Sequence, residues 1–162
     1  MMNKGIKAAL RQTDETSSIR DGMDIALCKV YPASRLIAGK GCKLQYSGAN
    51  RPLWIIRNGQ SVMEEIKSTK KAIGGFTEDA QEFESHEIEL NKGDTFYIFS
   101  DGYADTFSGN NKKLTTKKMK QILIDIRHQS MEEHEKYLAG FIENWKADTI
   151  QIDDILVIGV RV

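Results

Sequence analysis

The chain has 162 residues, with 23 basic and 23 acidic side chains and a formal net charge of zero. This length predicts one domain over residues 1–162, and the balanced charge argues against binding to nucleic acid or to an anionic membrane surface. No apolar run approaches the roughly 20 residues that a membrane-spanning helix needs, and no signal-peptide core follows the first methionines. Cys28 and Cys42 both lie in apolar, strand-like segments, so we expect two buried thiols in a cytoplasmic protein.

The first predicted element is a short helix over residues 5–11, in which Ile6, Ala9 and Leu10 share one face. Neither a capping residue nor a strand precedes it, which suggests a start cut from a longer chain. The polar residues 12–20 predict a loop.

A series of apolar or alternating segments with short connections then predicts mainly antiparallel strands. The dipeptide Asn58-Gly59 predicts a hairpin, because both residues tolerate the positive φ of a type I′ turn. A further short strand is predicted around residues 35–38. The main strands are predicted over residues 25–31, 43–47, 53–57, 60–66, 83–90 and 95–99.

After Asp105 the hydrophobic period changes from that of strands to that of helices. One amphipathic helix is capped by Thr115 or Thr116, and Ser130 with Glu133 forms a capping box that starts a second helix. The apolar faces of these two helices carry Met119, Ile122, Leu123 and Ile126, and Leu138, Phe141, Ile142 and Trp145. An apolar strand over residues 155–162 follows. This order of elements predicts an α+β layered fold.

Two acidic groups lie at the ends of the most apolar strands. Asp101 follows the strand at 95–99 after one residue, Ser100, and Gly102 leaves room beside it for an ion or a phosphate. Asp153 and Asp154 precede the last strand, so the carboxylates meet at one sheet edge if these two strands are antiparallel neighbours. Mg²⁺ and Mn²⁺ prefer such oxygen ligands. The alternative is a turn aspartate and acidic residues that only discourage edge pairing.

Other polar residues offer weaker candidate sites. Asp21 and Asp24 mimic an acidic metal motif, but they precede a strand and fit a turn. Asp105 lies four residues after Asp101 and would share its face if a helical turn begins there. His134, on the apolar face of its helix, fits a packed core histidine. Three lysines of a basic loop could meet a phosphate or simply be solvated: Lys67, Lys70 and Lys71.

Several stretches follow one another in a recognisable order. They are Asp21-Gly22-Met23-Asp24-Ile25-Ala26-Leu27, the stretch from Leu44 to Gly59, Lys71-Ala72-Ile73-Gly74, the stretch from Gly93 to Gly102, and Gln151-Ile152-Asp153-Asp154-Ile155. In order and spacing the chain resembles the C-terminal part of the catalytic domain of SpoIIE/RsbU-type serine phosphatases, in the PPM (PP2C-like) superfamily.

This resemblance implies a partial αββα sandwich with mainly antiparallel strands and two C-terminal helices. It implies metal binding at Asp101, Gly102 and Asp153, with Asp154 and Asp105 in supporting positions. The implied cofactors are two Mn²⁺ or Mg²⁺ ions, and the implied reaction is hydrolysis of phosphoserine or phosphothreonine by a metal-activated water. The implied substrate is a phosphorylated regulatory protein, such as an anti-anti-sigma factor.

The sequence departs from this pattern in two places. It contains no counterpart of the family's upstream aspartate that bridges both ions or of its Gly-His-Gly turn, and Leu156 stands where a threonine is usual. We therefore expect a fragment that binds metal weakly and has little activity alone. The alternative is a non-catalytic PP2C-like module for binding or dimerisation. Whether the chain is a phosphatase fragment or a non-catalytic module, exposed sheet edges predict a homo-oligomer.

Overall fold

The computed structural model describes residues 2–12, 21–32 and 41–162. The predicted strand around residues 35–38 lies outside the described residues, as does the predicted loop over residues 12–20 apart from Gln12. The helices are α1 (Met2–Ala9), α2 (Gly102–Asp105), α3 (Thr116–Asp125) and α4 (Met131–Lys146). The strands are β1 (Gly22–Met23), β2 (Ile25–Tyr31), β3 (Cys42–Ala49), β4 (Leu53–Ile56), β5 (Met63–Ile66), β6 (Ile73–Gly74), β7 (Ser85–Leu90), β8 (Thr95–Phe99) and β9 (Val157–Arg161).

The chain divides into two compact units, the first from residues 1–53 and 66–90 and the second from residues 54–65 and 91–162. The sheets are antiparallel and the chain combines them with four described helices, so the expected α+β class is confirmed. None of the described helices combines the length and the hydropathy that crossing a bilayer requires.

The first unit contains a three-stranded antiparallel sheet in the order β2-β3-β7 and a two-stranded sheet of β1 and β6. In the larger sheet Ile25 lies opposite Ala49 and Tyr31 opposite Lys43. Helix α1 is joined to β6 by Asn3, whose side-chain oxygen accepts a bond from the Gly74 amide at 2.7 Å. The helix begins at Met2, earlier than the predicted residue 5.

The second unit contains a four-stranded sheet in the order β5-β4-β8-β9. Strand β8 lies between two partners and four of its five residues are buried, which confirms it as a buried central strand. Its partner β9 runs antiparallel, with Phe99 opposite Val157 and Thr95 opposite Arg161. Helices α3 and α4 pack against this sheet through a buried apolar cluster that includes Trp54, Tyr97, Phe99, Met119, Leu123, Leu138 and Ile142.

Both predicted helix caps are present. The Thr115 side chain accepts a bond from the Lys118 amide at the start of α3. At α4, Ser130 Oγ accepts from the Glu133 amide at 3.2 Å, and the Glu133 carboxylate accepts from the Ser130 amide at 2.7 Å. Reciprocal bonds of this kind satisfy amides that have no partner inside the helix.

The hairpin at Asn58-Gly59 differs from its prediction. Gly59 has a φ of 75°, but Asn58 is not among the residues with positive φ, so a type I′ turn is wrong. The reason is a competing partner. The buried Asp94 carboxylate accepts bonds from the Asn58 amide at 2.8 Å and from Arg57 at 3.0 Å. The turn is thus held by a residue that lies outside the hairpin. The paired strands are accordingly shorter than predicted.

Candidate metal-binding site

Asp101 lies at the turn between β8 and α2. Its φ and ψ of −75° and −22° are already helical, and its carbonyl accepts a bond from the Asp105 amide at 2.9 Å. Thr106 closes the same turn by donating its hydroxyl to the Gly102 carbonyl at 2.7 Å. The carboxylate of Asp101 is therefore carried by a one-turn helix that is hydrogen-bonded at both ends and follows a central strand.

Ser100 joins the end of β8 to the segment before β9. Its amide donates to the Leu156 carbonyl at 2.9 Å, and its Oγ accepts from the Leu156 amide at 2.9 Å. The same hydroxyl donates to the Asp154 carbonyl at 2.7 Å. These bonds place Asp153 and Asp154 beside the end of β8, in the antiparallel arrangement that the sequence argument required.

Gly102 is needed for this junction. A Cβ atom added there would lie 2.8 Å from the Asp154 carbonyl carbon and 3.2 Å from the Asp153 carbonyl oxygen. Real Cβ atoms essentially never come within 3.0 Å of such atoms, so backbone of the Asp153-Asp154 segment occupies the room that a side chain would need. The glycine thus permits a close approach of two backbone segments.

Asp153 and Asp105 both have hydrogen-bond or ion-pair partners. Asp153 Oδ1 accepts a bond from the Asp154 amide at 2.8 Å, and the Gln151 side chain donates to the Asp153 carbonyl at 2.9 Å. Asp105 forms an ion pair with Lys113 at 2.9 Å, with both side chains nearly half exposed. A small cavity of about 140 Å³ lies beside Gly102, Asp105 and Asp153.

The donor chemistry of this junction fits a hard divalent cation in part. Asp101 and Asp153 offer carboxylate oxygens, and the Gly102 carbonyl has a second lone pair beside the one that Thr106 uses. Within residues 2–12, 21–32 and 41–162 no group of three or more histidine, cysteine or acidic side chains is arranged around one point. The described residues therefore supply only part of a coordination shell.

The competing candidates have structural partners. Asp24 accepts bonds from Asn50 at 2.9 Å and from Arg51 at 2.8 Å, as expected of a turn residue. His134 is buried, with Nε2 donating to the Ile126 carbonyl at 2.6 Å and Nδ1 accepting from the Tyr97 hydroxyl at 3.1 Å. These contacts confirm the prediction of a packed core histidine.

The thiols are only partly buried, which differs from the prediction of buried cysteines. For Cys28 this partial burial still raises the pKa to about 11. The thiol is therefore protonated near neutral pH and is a poor nucleophile.

Two residues that contact the acidic segments, Ser100 and Lys113, were not predicted from the sequence. Ser100 joins the two acidic segments, and the signal for it was its position as a small hydroxyl residue between the apolar strand and Asp101. Lys113 is separated from its partner Asp105 by a loop, and no local pattern links the two residues.

The chain is similar to one known family and to several solved structures. A family model described as Stage II sporulation protein E (SpoIIE) matches residues 25–162. No curated protein sequence matches significantly. The SiaA-PP2C domain of Pseudomonas aeruginosa matches with a TM-score of 0.75 and 21% identity over 99% of this chain and 59% of that chain.

Two further solved structures resemble the chain over most of its length. PppA, a key regulatory component of T6SS in Pseudomonas aeruginosa, matches with a TM-score of 0.58 and 18% identity, over 98% of this chain and 64% of that chain. The phosphatase domain of the cell fate determinant SpoIIE from Bacillus subtilis (Mn presoaked) matches with a TM-score of 0.55 and 18% identity, over the same shares. The chain spans less than two thirds of each neighbour. At these identities the matches show the PP2C-like fold.

Proposed function

The chain belongs to the SpoIIE family of PP2C-type phosphatases, and we propose that it forms part of a metal-dependent protein serine/threonine phosphatase. The observation that carries this proposal is the junction at Ser100. Its three hydrogen bonds hold the segment of Asp153 and Asp154 beside the end of β8, where Asp101 follows Ser100.

The proposed cofactor is Mn²⁺ or Mg²⁺, and the similarity to a structure presoaked in Mn supports this choice. Asp101 and Asp153 would hold the ion, with the Gly102 carbonyl beside them. When bound, such ions supply a nucleophilic hydroxide and a clamp for the phosphoryl group. The chain's own contribution is to hold one carboxylate at the end of a central strand and the other on a segment that is hydrogen-bonded to that strand. Lys113 pairs with Asp105 and so lowers the acidic charge next to the site.

The proposed substrate is a phosphoserine or phosphothreonine side chain of a regulatory protein, of the anti-anti-sigma kind, in the cytoplasm. This part of the proposal rests on family membership. Phosphate-monoester hydrolysis is among the slowest uncatalysed reactions. A site with two carboxylates is therefore expected to turn over slowly, and the 162-residue chain alone should release little phosphate.

The test is Mn²⁺ binding, followed through the loss of the free-ion signal in electron paramagnetic resonance. We expect weak binding, in about the millimolar range seen for loosely built cation sites, that is lost in Asp101→Asn and in Asp153→Asn. Asp125→Asn is the matched control, because Asp125 is exposed on α3 and should leave binding unchanged. Binding that survives both site substitutions would contradict the assignment.

A non-catalytic PP2C-like module is the second candidate. The observation that favours it is the small number of acidic ligands that the described residues bring together. The two candidates differ in a phosphate-release assay on a phosphoserine protein. A phosphatase gives slow release that depends on Mn²⁺ and disappears in Asp101→Asn, whereas the module gives the same background with and without the substitution.

A further inference from the structure

The small cavity at the acidic junction has a cationic group in its wall. Its volume is about 140 Å³, and it is lined by Gly102, Asp105, Lys113 and Asp153 together with several uncharged residues. Among the described residues that line it, Lys113 is the basic one, and Asp105 and Asp153 are the acidic ones. The Lys113 ammonium lies 2.9 Å from Asp105 Oδ1. The chain therefore places a cation of its own beside the proposed metal ligands.

The backbone around Lys113 is fixed by a short hairpin that follows α2. Lys113 and Phe107 face each other in an antiparallel bridge. The Leu114 amide donates to the Thr106 carbonyl at 3.0 Å, and the Leu114 side chain is buried. Thr106 is also the residue whose hydroxyl closes the turn of α2. The hairpin thus holds Lys113 next to the turn that carries Asp105.

The ion pair of Lys113 with Asp105 matters more for ion binding than for folding. The two side chains are 45% and 44% exposed, and ion pairs that are exposed to this extent stabilise a protein little. The Coulomb energy between a fixed charge and an ion is proportional to the charge of the ion, so a divalent cation experiences twice the effect of a monovalent one. Removal of the Lys113 charge should therefore leave the fold intact and change the affinity for a divalent cation.

We propose that Lys113 is a built-in counter-cation that lowers the affinity of the acidic junction for Mn²⁺ and Mg²⁺. The inference rests on the proposed function, because it concerns the ion that Asp101 and Asp153 would hold. Lys113 repels the ion, and it also neutralises Asp105, which would otherwise attract the ion. It acts on the ion through its charge and without touching it. The hairpin that carries Lys113 thereby sets the ion concentration at which the site fills.

The test is Mn²⁺ binding to the 162-residue chain, followed through the free-ion signal in electron paramagnetic resonance. Lys113→Met removes the ammonium and keeps an unbranched side chain. We expect the dissociation constant for Mn²⁺ to fall by about threefold to tenfold, the effect of removing a partly screened unit charge from the neighbourhood of a divalent ion. Lys113→Arg keeps the charge and should bind Mn²⁺ as the unchanged chain does.

Lys112→Met is the matched control. It changes the net charge by the same amount at the neighbouring position, but Lys112 is exposed and does not line the cavity. Equal Mn²⁺ affinity of Lys113→Met and Lys112→Met would overturn the inference. The proposed function would stand in that case, provided that Asp101→Asn and Asp153→Asn still abolish binding. Binding that survives these two substitutions contradicts the proposed function and the inference together.

A cycle of charge substitutions separates this role from direct binding by Asp105. Asp105→Asn leaves the Lys113 ammonium without its acidic partner and should weaken Mn²⁺ binding, the opposite of the effect of Lys113→Met. The double variant Asp105→Asn/Lys113→Met lacks both charges, so its affinity should return close to that of the unchanged chain. A double variant that binds as weakly as Asp105→Asn would overturn the inference, because Asp105 would then be a ligand and the charge of Lys113 would have no effect.

The dependence on ionic strength is a readout that a purely structural role of Lys113 would not change. The screening length falls from about 30 Å at 0.01 M salt to about 3 Å at 1 M salt. The difference in Mn²⁺ affinity between Lys113→Met and Lys112→Met should therefore disappear as the sodium chloride concentration rises over this range. A difference of the same size at 1 M salt would show that Lys113→Met acts by altering the hairpin, and this result would overturn the inference.

Discussion

His134 is a buried titratable residue whose two ring nitrogens both have partners. Nε2 donates to the Ile126 carbonyl, which can only accept, so in the neutral ring Nδ1 accepts from the Tyr97 hydroxyl. Protonation would make Nδ1 a donor, so the Tyr97 hydroxyl would have to accept and turn its own proton away. Burial, as the largest cause, lowers the pKa of His134 below its ordinary 6.5, although the bond to the Ile126 carbonyl acts in the opposite direction.

The lowered pKa predicts a pH dependence of folding stability. The unfolded chain binds more protons than the folded chain between pH 6.5 and the folded pKa. The free energy of unfolding should therefore fall as the pH decreases from 6.5, and this loss should end below the folded pKa. Urea denaturation from pH 8 to pH 5 measures it.

Two histidine variants isolate this effect. His134→Gln should lose the part of the pH dependence that arises between pH 6.5 and the folded pKa, and it should be less stable at pH 8. His128→Gln, at an exposed position, should keep the wild-type profile. The interpretation fails if His134→Gln and His128→Gln show the same profile.

Among the helices and strands, local signals predicted the elements better than their partners. The β-branched and aromatic run at 95–99 indicated a central strand, and Ser130 with Glu133 indicated the start of α4. The pairing of β8 with β9 could only be assumed from the sequence, because the two strands are far apart along the chain. Ser100 enforces that pairing through bonds that no local pattern shows.

The same limit explains the wrong turn type at Asn58. A dipeptide such as Asn-Gly predicts the backbone conformation that a turn adopts when no other part of the chain contacts it. Here the buried Asp94 carboxylate, in the turn before β8, accepts a bond from the Asn58 amide. Asp101 and Asp153 could be named from sequence because each lies next to an apolar strand, but the ion pair of Asp105 with Lys113 could not.

We predict that alanine substitution has opposite effects on stability at two glycines, Gly102 at the junction of β8, α2 and β9 and Gly140 in α4. Gly102→Ala should reduce the free energy of unfolding by about 1–3 kcal/mol, the usual cost of overpacking, because its Cβ would meet the Asp153-Asp154 backbone. Gly140→Ala, in α4 with no atom within 4 Å of its Cβ, should increase stability by about 0.5–1 kcal/mol.

Urea denaturation of the two alanine variants gives the signs of both changes. Because the substitutions are chemically identical, a difference in sign reports the surroundings of each glycine and not alanine itself. A neutral or stabilising Gly102→Ala would mean that the junction can open without cost.

For the whole molecule, the SpoIIE family model and the PP2C-like neighbours agree on the fold. The chain itself spans 59% of the SiaA-PP2C domain. Its division into two compact units leaves the single domain over residues 1–162 a prediction. The second unit contains both Asp101 and Asp153, so the two proposed carboxylate ligands belong to one folded unit.

Placement of both aspartates in one folded unit predicts that Mn²⁺ stabilises the native chain. An ion that binds only the folded state adds RT ln(1 + [L]/Kd), about 1.4 kcal/mol at tenfold excess over Kd. For a chain of this size the melting temperature should rise by about 3–5 °C. Thermal denaturation with Mn²⁺, at constant chain concentration and with reversal by a chelator, measures the shift.

The controls separate binding at the acidic junction from binding elsewhere. The double variant Asp101→Asn/Asp153→Asn should show no shift, whereas Asp125→Asn should shift as the unchanged chain does. An equal shift in the double variant would place the ion away from Asp101 and Asp153. The unfolded chain keeps its other carboxylates, and any ion that binds to them reduces the rise in melting temperature. The site is therefore tested by the difference in this rise between the double variant and Asp125→Asn.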